Sequence, residues 1–105
     1  VFVSGTTASA EDGSTVCVGD AAGQTRFALK KIERALAEVG AALSDVVRTR
    51  MFVVDIDQWE EIGRVHGEFF ADVRPAATMV EVSRLINHDH LVEIEVDAVV
   101  SNSPA

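Results

Sequence analysis

From Leu91 to Val100 the chain reads LVEIEVDAVV, and this alternation leaves few folds open. Successive side chains of a strand point to opposite faces, so Val92, Ile94, Val96, Ala98 and Val100 fall on one side and Glu93, Glu95 and Asp97 on the other. Such a strand belongs in a sheet with one face covered by apolar partners and the other carrying carboxylates. The segment before it, AATMVEVS, divides in the same way, with Thr78, Val80 and Val82 opposed to Ala77, Met79, Glu81 and Ser83.

The cover for the apolar face is legible upstream. Thr25, Ala28, Leu29, Ile32, Ala35, Leu36 and Val39 recur at intervals of three and four, which predicts an amphipathic helix starting near Asp20 and stopped by Gly40. Trp59, Ile62, Val65, Phe69 and Phe70 predict a second helix, with Asp57 and Glu60 as a capping box and Pro75 blocking continuation. Between the helices, Val47, Thr49, Met51 and Val53 alternate with Arg48, Arg50 and Phe52, predicting a strand from about Val46 to Val54. VFVSGT at the start reads as another strand, and VCV (Val16–Val18), after the turn residues Asp12, Gly13 and Ser14, as a short one. The sum is an α+β sandwich: one mixed sheet with two helices on one face. The other face mixes Met51 or Phe52, Leu91 and Val99 with acids, too apolar for plain solvent and too charged for a dry core. A partly buried interface between subunits, holding a polar pocket, reconciles the two.

At 105 residues the chain fits a single domain. Nine basic against 17 acidic residues give a net charge of -8, without the cationic footprint that nucleic acid or an anionic membrane surface requires. No apolar run approaches the ~20 residues of a membrane span. Cys17 is the sole cysteine, which rules out an internal disulfide and favours a reducing, cytoplasmic setting.

VFVSG, ALAEVGAALSDVVRTRMFVVDI, EFF, RPAATMVEVSRL and VEIEVDAVV, in that order, resemble the reactive-intermediate deaminase (Rid, or YjgF-like) family, known in older usage as endoribonuclease L-PSP. The resemblance spans nearly the whole of residues 1–105. It implies a chorismate-mutase-like fold and a homotrimer whose sheets line a central barrel, with three clefts between subunits. A short family strand is expected ahead of Val1. Archetypal members hydrolyse imines and enamines such as 2-aminoacrylate to a keto acid and ammonia without a cofactor. Carried over position by position, the resemblance makes Glu93 the group that positions water or relays protons. It puts Ser4 and Gly5 at the cleft and gives Met79 a backbone that faces the ligand. The arginine that holds the substrate carboxylate in the family phrase PARS is replaced here by Ala77.

Each candidate has a plainer alternative. Glu93 and Glu95 can carry protons, or can pair with Arg48, Arg50 or Arg84 and hold strands together. Arg74, three residues before Ala77, is a candidate relocated anion clamp or a solvated turn residue. His66 on the second helix is a candidate ligand contact or base, or a structural histidine. His88, Asp89 and His90 lack a further well-placed ligand and read as a polar hairpin loop rather than a metal site. Cys17 lacks an activating neighbour and reads as strand packing. The expectation is therefore a small-molecule-binding homotrimer, with no metal, cofactor, nucleic acid or membrane partner. It hydrolyses an imine or enamine or, alternatively, only binds a regulatory ligand.

Overall fold

The structure, a computed structural model, describes residues 1–101. The elements are β1 (Phe2–Thr6), α1 (Ala21–Glu38), β2 (Val46–Val53), α2 (Trp59–Phe70), β3 (Ala76–Glu81) and β4 (Val92–Ala98). The sheet order is β1-β4-β2-β3. Strand β4 runs antiparallel to both neighbours, while β2 and β3 are parallel and joined through α2, so the sheet is mixed as expected. Both helices pack on it, α1 against β1, β4 and α2. Val92, Ile94 and Val96 from the sheet meet Leu29, Ile32 and Leu36 from α1 with no exposed surface.

Helix α1 begins where Asp20, in an extended conformation, accepts a hydrogen bond from the Gly23 amide at 2.9 Å. It ends in a Schellman motif: Ala41 N–H donates to Leu36 O and Gly40 N–H to Ala37 O, with Gly40 at φ +79. Its buried stripe is rotated from the expected one, since Val39 and Ala35 are exposed and Gln24 is fully buried. The reason is long-range. Gln24 Nε2 donates to the carbonyls of Asp89 and Cys17, and Gln24 Oε1 accepts from the Leu91 amide, so one amide ties the segment before α1 and the loop before β4 to the helix.

Three local expectations are corrected. Val16–Val18 is a turn and not a strand; Cys17 is exposed at φ +53, a conformation no strand residue adopts, and its carbonyl accepts from Asp20 N–H as the chain swings into α1. The only pairing there is an isolated bridge between Ser9 and Thr15. Asp57 does not cap α2: Asp55 accepts from the Asp57 amide and caps a 3-10 turn over Ile56–Gln58 that leads into the helix. Val47 is 48% exposed because a bulge between Val46 and Arg48 shifts the alternation, leaving Val46 in the core.

Helix α2 is pinned to β2 by His66, whose Nε2 lies 2.9 Å from Thr49 Oγ1 and whose ring meets Phe70 at 4.7 Å between centroids. Thr49 is fully buried. Burial pushes the His66 pKa down from its usual value.

Replacing Gln24 by Leu leaves the Leu91 amide and the Asp89 carbonyl without their partner, and the expected cost is about 2 to 3 kcal/mol in a urea titration. With its pKa depressed, His66 is neutral in the fold under conditions where the unfolded chain takes up a proton. The unfolded state therefore binds more protons, and stability falls as pH drops below about 6.5 until the folded pKa has been passed. Above that pH His66 contributes no slope. His66→Gln keeps a hydrogen-bonding group and does not titrate, so the acid-side loss in wild type relative to this variant isolates the effect; parallel profiles overturn the assignment.

Candidate functional site

The face of the sheet turned away from the helices carries the charge. In β4, Glu93, Glu95 and Asp97 are half-buried and alternate with the buried apolar residues. Register sets their neighbours: Phe52 beside Glu93, Arg50 beside Glu95, and Arg48 and Phe2 beside Asp97. From the edge strand β3, Thr78 and Val80 join this face opposite Arg50 and Phe52.

Arg50 takes two of the three carboxylates. Its Nε donates to Glu95, and its Nη1 and Nη2 fork onto the two oxygens of Asp97 at 3.1 and 3.0 Å. These contacts hold the guanidinium still more firmly protonated, Asp97 contributing first and Glu95 second. Glu93 is left out. Among the described residues its carboxylate has neither a cationic nor a hydrogen-bonding partner within reach.

Ser4 and Gly5 lie next to Glu93 through a second bulge. Val3 pairs with Val96 and Thr6 with Ile94, so two residues of β1 stand opposite the single Glu95. The Ser4 carbonyl accepts from the Thr6 hydroxyl at 2.9 Å. Gly5 lies directly under the Glu93 side chain: a Cβ built on Gly5 would be 2.8 Å from Glu93 Cδ and 3.2 Å from Cγ.

Three of the sequence candidates are thus together, Ser4, Gly5 and Glu93, and the others lie elsewhere on the chain. Ala77 pairs with Thr49 and Met79 with Met51, which puts both side chains on the helix side of the sheet, Ala77 exposed at the edge and Met79 against the core. Arg74 is exposed at the corner after α2, at φ +55, with its amide bonded to Phe70 O. His66 lies between α2 and the sheet, on the opposite side from Glu93, hydrogen-bonded to Thr49. His90 Nε2 is 3.4 Å from Ser9 Oγ, and His88 is 3.6 Å from Asp89. No three His, Cys, Asp or Glu groups converge as a metal site among the described residues. No helix is long and apolar enough to cross a membrane among them. Arg50 as the cation that sorts the carboxylates is visible in sequence only as one of several candidates, because register decides between it and Arg48 or Arg84.

Comparison with known proteins places the chain in a family. Residues 1–100 match the family model described as Endoribonuclease L-PSP. A curated relative, 3-aminoacrylate deaminase RutC of Acinetobacter baylyi, is 39% identical over 94 residues, covering 90% of this chain and 74% of the relative. A YjgF/YER057c/UK114-family structure from Mycobacterium tuberculosis is 50% identical with a TM-score of 0.84, covering 94% of this chain and 77% of the other. The Rid-family protein YyfA of Yersinia pestis is 34% identical with a TM-score of 0.87, over 94% of this chain and 79% of the other. By sequence and by fold, the chain belongs to the endoribonuclease L-PSP family, which is the family of the YjgF and Rid proteins.

Proposed function

We propose that the protein is a cofactor-free imine or enamine hydrolase that works as a homotrimer, with Glu93 as its proton-handling group in a cleft between subunits. The observation that carries this reading is the free carboxylate of Glu93, beside two others that Arg50 neutralises. A group committed to holding strands together has no reason to be left unpaired. The similarity to a protein named for deaminating 3-aminoacrylate supports the same chemistry. Association is supported by the apolar residues on the charged face, above all Phe2, which is 87% exposed in the single chain.

The chemistry asks little of the protein. Glu93 accepts a proton from water as the water oxygen attacks the iminium carbon. That proton passes to the amine nitrogen, Glu93 takes the hydroxyl proton as the carbon–nitrogen bond breaks, and the carbonyl compound and ammonia leave, ammonia carrying off this second proton as ammonium. Backbone groups around Gly5 and Met79 are the proposed donors that orient the substrate. Ala77 offers no guanidinium, so the favoured substrate does not depend on a carboxylate clamp at that position. Arg74 is the cation nearest in sequence for substrates that do carry one.

The absent arginine also favours a second reading, a trimer that binds a small ligand without turning it over. RNA cleavage, suggested by the family description alone, sits poorly with a net charge of -8. Ammonia release from 2-iminopropionate and from 3-aminoacrylate, both generated in situ, tests the proposal. The wild type should accelerate at least one, and Glu93→Ala should reduce kcat by about 100-fold or more, the usual share of a general acid–base group. If the wild type is inert on both while Ala77→Arg gains activity, the hydrolase reading gives way to the binding one.

A further inference from the structure

The Glu93 carboxylate occupies the space of a missing side chain. The β1 bulge turns Gly5 toward the charged face, and the Glu93 side chain fills the space a Cβ would occupy. Gly5 does not need glycine for its backbone: its φ lies outside the positive region, unlike Gly13, Gly19 and Gly40. What a Cβ at position 5 would strike is the far end of one flexible side chain, not backbone. To admit alanine there, the carboxylate has to move. On its other flank Glu93 adjoins Phe52, and the neighbouring Arg50 is already occupied by Glu95 and Asp97.

We propose that Gly5 is a positioning residue for the reaction, because its missing Cβ opens the slot that fixes the Glu93 carboxylate against β1. Arg50 completes the device by drawing the other two carboxylates toward β2, so that Glu93 is both aimed and uncompensated. This rests on the assignment of Glu93 as the proton-handling group.

The test is Gly5→Ala, read in two ways. In the ammonia-release assay kcat should drop by about 100-fold with KM little changed, as expected when a reacting group is displaced by an ångström or so. Aspartate is shorter by one methylene, about 1.5 Å; its carboxyl carbon takes the Cγ position, 3.2 Å from the new Cβ, so the contact is eased. Glu93→Asp should therefore lower kcat in the wild type yet restore part of it in the Gly5→Ala background, a rescue that general destabilisation does not produce. The second readout needs no turnover: the side-chain carboxyl carbon of Glu93, followed by carbon-13 NMR through a pH titration, should shift between wild type and Gly5→Ala. If that signal and kcat are both unchanged, the positioning role is wrong. If the wild type shows no turnover but the signal moves, the hydrolase reading fails and the slot stands. Should Gly5→Ala fold poorly, recovered folding in the double variant, which eases the contact, supports the slot, and a double variant that folds no better overturns it.

Discussion

Strand β4 is central, paired on both sides, and each residue it turns toward the helices is buried, from Val92 to Ala98. Its register is therefore not negotiable, since a slip of one residue would drive three carboxylates into the core. The same constraint crowds Glu93, Glu95 and Asp97 onto one face at two-residue intervals. Like charges at this spacing need a cation, and the register of β2 brings Arg50 beside Glu95 and within reach of Asp97. One planar guanidinium can serve two carboxylates in this geometry. The third remains. A free glutamate on the face is thus the remainder of a packing requirement, and it lies where the β1 bulge has left room for it.

How much of this was legible follows from the range of the interactions. Helix α1 was readable at both ends because Asp20 and Gly40 act within a turn of themselves. The alternation of β4 and the inner part of β2 was readable because one buried face imposes it. The misses are long-range or break the period. Gln24 looks like a solvent-facing residue until its partners, 65 and 67 positions away, are known. The bulge at Val46 and Arg48 reverses the side on which Val47 falls, and no propensity announces it. VCV has strand composition, yet the carbonyl of Cys17 is needed at the start of α1, and that demand sets its backbone.

The site was partly legible for a related reason. Resemblance named Glu93, Ser4 and Gly5, which the fold brings together, but it carries no information about which side of the sheet a helix residue meets. His66 has the chemistry of a base, and it is spent on joining α2 to Thr49. Ala77 and Met79 alternate with Thr78 and Val80, and pairing with β2 turns them toward the helix side at an open edge. Within one chain they do not reach Glu93. A cleft that uses them draws on the edge of one subunit and the charged face of another, which is why the site and the association belong to a single proposal.

The replacement at position 77 changes the electrostatics of such a cleft as well as its hydrogen bonds. A guanidinium there would offset Glu93 and draw anions; alanine leaves Glu93 as an uncompensated negative charge in a chain that already carries a net -8. An anionic substrate loses both the clamp and the attraction. A protonated imine gains, because its positive charge sits on the carbon–nitrogen unit that Glu93 faces in the proposed reaction. In the proposed cleft, alanine at position 77 therefore does more than withhold a clamp. On that reading it favours the nitrogen end of a substrate over its carboxylate end, toward iminium compounds in which the reacting group itself is recognised.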